Sequence, residues 1–271
     1  MPARPEAATQ FHALHKGPDM LILANAWDAL SAKVIAHVGA KAIATSSAAV
    51  AWAHGYADGH HLPFEKLRTT VEEIARVVAL PISVDMEGGY ADEPDEVGAN
   101  VAAIIEAGGV GMNIEDGRGA PDVLCRKIEA AREAAARAGV DFFVNARTDV
   151  YLKRLKSGEE AEAEVIARGR AYKSAGANGL FVPSLADPAI LARVAGAVDL
   201  PLNVMGWKGV PGKSVLLAAG VRRLSAATNM ARVAMHATAR AAALFLSEGD
   251  SEAVAAMTDP DADYNSLFSQ G

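Results

Sequence analysis

Residues 81–90 read Pro-Ile-Ser-Val-Asp-Met-Glu-Gly-Gly-Tyr, and this stretch decides the fold and marks the candidate site. Its first half is a short apolar run of the kind that forms a buried strand. The run ends in Asp85 and Glu87, whose side chains share one face of an extended chain, and Gly88-Gly89 permits a tight turn. Two carboxylates at a strand tip repel each other unless a cation or a shared proton relieves them, and the hard cation Mg²⁺ suits them. The alternative interpretation is a pair of solvated loop acids.

The same pattern, an apolar run followed by an amphipathic segment, recurs along the chain. The predicted strands are Met20–Ala24, Ala42–Ser46, Pro81–Asp85, Gly109–Glu115, Asp141–Ala146, Gly179–Val182, Pro201–Met205 and Val221–Ser225. The alanine-rich segments with helical periodicity are Ala29–Val38, Phe64–Val78, Glu93–Ala107, Asp122–Ala138, Gly158–Ala175, Pro188–Val198, Lys213–Ala219 and Met230–Ser247.

Eight strand–helix alternations with short connections predict a parallel sheet, and their number favours a closed (β/α)8 TIM barrel over an open doubly wound sheet. No glycine-rich dinucleotide fingerprint follows the first strand, where the sequence reads Asn25-Ala26-Trp27-Asp28. We therefore predict a single barrel domain over residues 1–271. It has a loosely attached leader at 1–17, with a short helix around Phe11 to His15, and a C-terminal helix and tail from about 229 to 271. Residues 47–63 lack clear secondary structure, and we expect them to fold over the mouth as a loop.

Composition and charge narrow the function class. The chain of 271 residues is 51% hydrophobic and 22% charged, with a formal net charge of −7, and no lysine or arginine cluster offers a nucleic-acid surface. The N-terminal residues lack the apolar segment of a signal peptide, and no run is long enough to span a membrane. A single cysteine, Cys125, excludes an internal disulfide and fits a reducing compartment. These features predict a cytoplasmic protein without a nucleic-acid or membrane partner.

Polar residues follow nearly every predicted strand, where a barrel of this type carries its catalytic groups. The strand ends carry Asn25, Ser46-Ser47, Asp85 and Glu87, Glu115-Asp116, Arg147-Thr148-Asp149, Pro183-Ser184, Asn203 and Ser225. Charges placed directly at the ends of the third, fourth and fifth strands exceed what polar loops require. The adjacent pair His60-His61 is also a candidate metal ligand, but a loop histidine is more often solvent-facing or a hydrogen-bond donor.

Six motifs in chain order resemble those of the isocitrate lyase/phosphoenolpyruvate mutase superfamily over roughly residues 20–245. They are Asn25-Ala26-Trp27-Asp28, Thr45-Ser46-Ser47, Gly55-Tyr56-Ala57-Asp58-Gly59, Asp85-Met86-Glu87-Gly88-Gly89-Tyr90, Ile114-Glu115-Asp116 and Asn145-Ala146-Arg147-Thr148-Asp149. The resemblance implies a Mg²⁺-dependent barrel, with Mn²⁺ as a possible substitute, that handles small 2-oxo or 2-hydroxy acids through enolate-type intermediates. It also implies a homotetramer whose eighth helix packs on, or is swapped with, a neighbouring subunit.

The same resemblance assigns roles to individual residues. Asp85 resembles the direct metal ligand, and Asp58, Glu87 and Glu115 resemble the acids that hold the coordinated waters. Arg147 resembles the arginine that binds a carboxylate or phosphate, and with Asp58 and Glu115 it makes up the expected catalytic set. The expected substrate contacts are Trp27, Ser46, Ser47, Ala48, Arg147 and Asn203. The superfamily usually has glycine where this chain has Ser47, so this serine is expected to narrow the pocket or add a hydrogen bond.

The chain departs from the superfamily after the fourth strand. Isocitrate and methylisocitrate lyases carry a Lys-(Lys/Arg)-Cys-Gly-His lid there, whereas this chain reads EDGRGAPDVLCRKIEAAREAA, with only Gly117 to Pro121 before the next helix. Cys125 could replace the lid cysteine as an acid. It falls on an apolar helical stripe, however, which favours a packing role. Arg118 is expected to be solvent-exposed, although it could reach a distal carboxylate.

Three functions follow from these observations. The first is a Mg²⁺-dependent carbon–carbon lyase or decarboxylase that acts on a small 2-oxo or 2-hydroxy dicarboxylate such as oxaloacetate, because decarboxylation needs least from the missing lid. The second is a cleaving lyase of the methylisocitrate or dimethylmalate type, which would need another general acid, with Tyr56, Tyr90 or His61 as candidates. The third is a member that binds a 2-oxo acid without turning it over.

Overall fold

Parallel strands and intervening helices close into a (β/α)8 barrel in the computed structural model, which describes residues 4–269. The strands are β1 (Leu21–Leu23), β2 (Asn25–Ala26), β3 (Ile43–Thr45), β4 (Ile82–Asp85), β5 (Gly111–Glu115), β6 (Phe143–Arg147), β7 (Gly179–Phe181), β8 (Leu202–Met205) and β9 (Val221–Ser225). The helices are α1 (Pro5–Lys16), α2 (Ala29–His37), α3 (Ser47–Ala53), α4 (Phe64–Val77), α5 (Pro94–Glu106), α6 (Pro121–Ala138), α7 (Gly158–Ser174), α8 (Pro188–Val198), α9 (Lys213–Ala218), α10 (Asn229–Glu248) and α11 (Ser251–Ala255).

The nine strand segments correspond to the eight predicted strands. β1 lies within the predicted strand Met20–Ala24, and β2 continues that strand beyond its predicted end, after an interruption at Ala24. β1 pairs with β9, and β2 pairs with β3. The interrupted strand therefore lies between β9, the last strand in the chain, and β3, and it closes the barrel. Every pairing is parallel, and the strands lie side by side in chain order. The predicted barrel is therefore confirmed.

Helix α1 lies against the N-terminal end of the barrel, so the prediction of a loosely attached leader is wrong for residues 5–16. Phe11 is fully buried, and its ring centroid is 5.4 Å from that of Phe143 on β6. The His15 ring stacks on the same Phe143 ring at 4.1 Å. Ala8, Phe11 and His15 follow a helical spacing and form the buried face of α1. Their burial makes α1 part of the core.

Helix α3 begins the segment that was expected to be a loop, and the expectation is wrong for residues 47–53. The first five residues of α3 are all buried. A run of consecutive buried residues does not alternate polar and apolar positions, so periodicity cannot reveal this short helix. Residues 54–63 are irregular and run towards the turn after β4, as predicted for the second half of the segment.

A polar layer fills the middle of the barrel below the strand ends. Arg223 on β9 is buried and donates from Nη2 to Ser83 Oγ at 3.3 Å and to Asn113 Oδ1 at 3.2 Å. The amide nitrogen of Asn145 donates to Asn113 Oδ1 and to Asn203 Oδ1, both at 2.9 Å. Inward side chains fill such barrels in layers, so these contacts form one layer of the barrel interior beneath the strand ends.

The C-terminal helix α10 leaves most of its surface uncovered. Ala231 alone among its residues is buried, while Val233, Phe245 and Leu246 are 67%, 50% and 84% exposed. Exposed apolar residues grouped on one helix indicate a surface that another element covers. The exchange of this helix between subunits remains a prediction. None of the helices within residues 4–269 combines the length and the apolar character needed to cross a membrane.

Candidate active site

Three neighbouring strands bring the central residues of the site together. β4 ends at Asp85, β5 at Glu115 and β6 at Arg147, and these strands are adjacent in the sheet. Glu115 and Arg147 are register partners. Because parallel strands end at the same face of the barrel, side chains far apart in sequence converge at its mouth.

The Asp85 carboxylate contacts the first residue of α3. Its Oδ2 atom accepts hydrogen bonds from the backbone N–H of Ser47 at 3.1 Å and from the Ser47 hydroxyl at 2.9 Å. The backbone N–H of Asp85 donates to Thr45 Oγ1 at 2.8 Å. The Ser46–Ala48 turn therefore lies directly against the acid strand, and Ser47 supplies the additional hydrogen bond expected from its replacement of glycine.

The turn after β4 holds Glu87 in an uncommon backbone conformation. Glu87, Tyr90 and His60 are non-glycine residues with positive φ angles of 48°, 58° and 65°. Glu87 is buried and accepts from the backbone N–H of His60 at 2.5 Å and from the Tyr90 hydroxyl at 3.2 Å. A side chain at Gly89 would have its Cβ 2.7 Å from a Val97 methyl group. Strained backbone of this kind concentrates at functional sites, where surrounding contacts maintain it.

The acids interact electrostatically. Burial raises the pKa of Glu87, with further increases from Asp85 and Asp58, while His60 opposes them. Burial also raises the pKa of Glu115 to about 7, opposed by the charge of Arg147 and assisted by Asp149 and Asp85. Acids that raise the pKa of Glu87 and Glu115 must lie close to them, and a cation among these groups would offset both the repulsion and the cost of burial.

Arg147 lies between two carboxylates. Its Nη1 atom is 2.7 Å from Glu115 Oε2, and its Nε and Nη2 atoms donate to Asp149 at 2.7 Å and 3.2 Å. Burial lowers the pKa of Arg147, but Glu115, Asp149 and Asp85 together outweigh this effect and raise it. Of the five N–H groups of the guanidinium, the one on Nε and one on Nη2 donate to Asp149, while Nη1 faces Glu115 as an ion pair.

The other predicted site residues lie around this centre. Asp58 is exposed in the irregular loop before α4, close enough to raise the pKa of Glu87 and Tyr90. Ser46 and Ala48 are buried, and Trp27 is partly buried against the core after β2. Asn203 lies inside the barrel, where its amide donates to the Val204 carbonyl at 2.8 Å. A substrate contact at Asn203 would have to break one of its internal hydrogen bonds.

The carboxylates around Asp85 suit Mg²⁺ better than they suit a metal ion that is held by several protein ligands. No three histidine, cysteine or acidic side chains within residues 4–269 are grouped as a metal site. Mg²⁺ usually keeps several waters and takes one or two carboxylates. A single carboxylate at Asp85, with Glu87, Glu115 and Asp58 near it, meets that requirement.

The predicted short lid is present as the loop between β5 and α6, residues 116–120. A cavity of about 840 Å³ opens beside this loop, and Glu115, Tyr90 and the exposed Arg118 contribute to its walls. Cys125 packs against the core from α6, and burial, with Glu129 and Asp122 adding to it, raises the pKa of its thiol. These contacts agree with a packing role for Cys125.

Sequence reasoning missed Lys127 on α6. This lysine is 8% exposed, and its Nζ atom donates to the carbonyls of Gly88 at 2.7 Å and Ala91 at 2.8 Å. It therefore holds the turn that carries Glu87. A usable signal was present, because Lys127 lies between Leu124 and Ile128 on the buried stripe of α6, where a charged residue needs a partner.

Comparisons with known proteins extend over most of the chain. The profile of the family described as phosphoenolpyruvate phosphomutase matches residues 11–246. An uncharacterized protein of Mycobacterium tuberculosis is 35% identical over 240 residues, which cover 86% of this chain and 87% of that protein. The crystal structure of a Burkholderia cenocepacia protein, provisionally described as a phosphonomutase, is 41% identical with a TM-score of 0.83, and the match covers 87% of this chain and 98% of that one.

Two further relatives have named activities. The 2-methylisocitrate lyase of Escherichia coli is 29% identical over 189 residues, 62% of this chain and 61% of that protein. An oxaloacetate decarboxylase of Ectopseudomonas mendocina is 29% identical over 215 residues, 74% of this chain and 71% of that protein. Together with the profile match and the barrel geometry, these similarities show that the chain belongs to the phosphoenolpyruvate phosphomutase family, within the superfamily that its motifs resemble.

Proposed function

We propose that this protein is a Mg²⁺-dependent carbon–carbon lyase that decarboxylates a small 2-oxo dicarboxylate, with oxaloacetate as the first candidate. The pairing of Arg147 with Glu115 beside Asp85 carries the proposal, because it combines a carboxylate-binding cation with a cluster of acids at one barrel mouth. The short loop at residues 116–120 supports decarboxylation in particular, since that reaction requires no lid residue as an acid.

Arg147 would bind the carboxylate of the 2-oxo acid moiety. The terminal nitrogens Nη1 and Nη2 carry N–H groups beyond the one that Nη2 donates to Asp149, and donors on these two nitrogens suit the two oxygens of a carboxylate. Glu115 and Asp149 restrict the guanidinium, so little side-chain entropy is lost when the substrate binds. The turn at Ser46–Ala48 would form the opposite wall of the site.

Asp85 would hold Mg²⁺ directly, and Asp58, Glu87 and Glu115 would hold its waters. When bound, the ion would supply Lewis-acid stabilisation of the negative charge that remains on the 2-oxo oxygen as CO₂ departs. The bond between the leaving carboxylate and its neighbouring carbon breaks, its electron pair enters the 2-oxo group, and the resulting carbanion carbon takes a proton from solvent. The open mouth gives water access to that carbon.

A cleaving lyase is the second candidate, and the 29% identity to the Escherichia coli 2-methylisocitrate lyase favours it. It would require a proton donor at the departing enolate. Tyr90 is poorly suited, because burial and the neighbouring Glu87 raise the pKa of its hydroxyl, which already donates to Glu87. Tyr56 and His61 remain candidates.

A panel of C3–C6 2-oxo and 2-hydroxy acids, each incubated with Mg²⁺, tests the proposal. Product analysis should detect turnover of oxaloacetate or a close analogue and little cleavage of methylisocitrate. A protein that merely binds would show Mg²⁺-dependent thermal protection by oxaloacetate without product. That result would replace the proposed lyase with the binding function. Action in the cytoplasm and assembly into a homotetramer are parts of the same proposal.

A further inference from the structure

A buried polar network connects helix α7 to the residues that surround Arg147. Two side chains of α7 donate to Asp116 Oδ2: the Tyr172 hydroxyl at 2.6 Å and Arg168 Nη1 at 2.9 Å. The Asp116 side chain and Tyr172 have no exposed surface. Donors on an outer helix of the barrel therefore fix the orientation of the Asp116 carboxylate.

Asp116 in turn holds the chain segment that follows β6. Its Oδ1 atom accepts from the backbone N–H of Asp149 at 2.9 Å, and its own N–H donates to the carbonyl of Arg147 at 3.1 Å. These two bonds join the loop after β5 to the segment after β6. The backbone position of Asp149 thus depends on Asp116.

Asp149 completes the connection to the guanidinium. Both of its carboxylate oxygens accept from Arg147, from Nε at 2.7 Å and from Nη2 at 3.2 Å, and its side chain is fully buried. A two-point contact fixes the plane of a guanidinium as well as its position. The directions of the terminal N–H groups of Arg147 are therefore determined by Asp149.

We propose that Tyr172, Arg168 and Asp116 are positioning residues that orient Arg147 through Asp149 and thereby set the affinity of the site for a substrate carboxylate. The inference rests on the proposed function in one respect, that Arg147 receives the carboxylate. Neither Tyr172 nor Arg168 lines the cavity beside the site, so their effect passes through the two aspartates.

Tyr172→Phe tests the network because it removes one hydroxyl and keeps the ring. Calorimetry would measure the affinity of the full-length protein for Mg²⁺ alone and for oxalate in the presence of Mg²⁺. Hydrogen-bond partners that orient metal ligands are worth about 10–100-fold in metal affinity or activity, and we expect an effect at the lower end of that scale where the oriented group is Arg147. We expect the oxalate affinity to fall by about 10-fold, while the Mg²⁺ affinity stays unchanged because the Asp85 carboxylate bonds to Ser47 and to none of Tyr172, Arg168 and Asp116.

Two further variants serve as controls. Tyr151→Phe is matched to Tyr172→Phe, because the Tyr151 hydroxyl is buried and no described residue pairs with it, so both affinities should remain at the wild-type level. Arg168→Lys should recover part of the oxalate affinity lost in Arg168→Met, since lysine retains the charge. An unchanged oxalate affinity in folded Tyr172→Phe, or an equal loss in Tyr151→Phe, would overturn the proposal.

A second measurement needs no ligand. In protein labelled with ¹⁵N-arginine, the buried Nε–H of Arg147 should give a slowly exchanging signal that is identified by its loss in Arg147→Lys. Tyr172→Phe should shift this signal and accelerate its exchange. If the wild-type protein binds no oxalate, the proposed function fails while this readout still tests the network. A signal that Tyr172→Phe leaves unchanged would overturn the positioning role.

Discussion

Glu115 and Arg147 face each other in register on β5 and β6, and their side chains form an ion pair with an Nη1 to Oε2 distance of 2.7 Å. Register partners on parallel strands point to the same face of the sheet, and both of these residues end their strands at the barrel mouth. The pair therefore joins the acids around Asp85 to the proposed carboxylate-binding group. A change at either residue should alter both stability and ligand binding.

Arg147→Ala should abolish oxaloacetate turnover and lower the free energy of unfolding by about 3–5 kcal/mol, because buried Glu115 and Asp149 lose their shared cation. Arg147→Lys keeps the positive charge but lacks the planar guanidinium. It should therefore recover the stability that Arg147→Ala loses, but little of the activity. Denaturant titration measures the stability, and CO₂ release measures the activity. Wild-type turnover by folded Arg147→Ala would contradict the assignment.

Cys125→Ser should fold and turn over substrate at the wild-type rate. The thiol packs against the core and is not among the residues that line the cavity beside residues 116–120, so it is not placed to donate a proton there. Rate measurements on the variant, together with a thermal melt that confirms its fold, decide the point. A folded but inactive Cys125→Ser protein would show that this cysteine replaces the missing lid acid.

The stability of the protein should depend on pH through His15. Burial, assisted by the charge of Arg223, lowers the pKa of this histidine from 6.5 to about 3. Between these values the unfolded chain binds a proton that the folded protein does not, so the contribution of His15 to stability is complete above pH 6.5 and is lost as the pH falls towards 3.

One such proton corresponds to about 1.4 kcal/mol per pH unit in the free energy of unfolding. Denaturant titrations between pH 4 and pH 7 should therefore show a shallower pH dependence for His15→Gln than for the wild type. His37→Gln, at an exposed position, serves as the control and should retain the wild-type slope. Equal slopes in His15→Gln and the wild type would show that His15 does not titrate in this way.

Helix α10 should be covered by another subunit in solution. Sedimentation at micromolar concentration should give a species near 112 kDa, four times the chain mass of 28.1 kDa. Leu246→Glu should dissociate it, because a charge would replace an apolar residue that is 84% exposed in the single chain. Val38→Glu, at another exposed apolar position, should not. A 28.1 kDa wild-type species would rule out assembly through this helix.

The sequence revealed the barrel because its signals are local. Each buried strand is a short apolar run, and the residues that end β4, β5 and β6 are acids or arginine, which contrast with the runs before them. Asp85, Glu115 and Arg147 can therefore be grouped from the sequence alone. The helix α3 could not be found in this way, since residues 47–51 are buried on all sides and show no amphipathic period.

The supporting residues depend on contacts between distant parts of the chain. Lys127 lies 39 residues from the Gly88 carbonyl that it binds, and Tyr172 lies 56 residues from Asp116. Nothing in the local sequence identifies those partners. The burial of α1 likewise depends on Phe143, far along the chain, so a leader with a weak apolar pattern could not be recognised as part of the core.

CO₂ and pyruvate release from oxaloacetate at a fixed Mg²⁺ concentration is the most direct test of the proposed activity. Because divalent cations also promote this reaction in solution, the reference is folded Asp85→Ala protein at the same Mg²⁺ concentration. We predict equal amounts of CO₂ and pyruvate from the wild-type protein, loss of turnover on chelation, and background release by Asp85→Ala, which should also fail to bind Mg²⁺ in calorimetry. Wild-type release no faster than that of Asp85→Ala, or wild-type Mg²⁺ affinity in Asp85→Ala, would contradict the account.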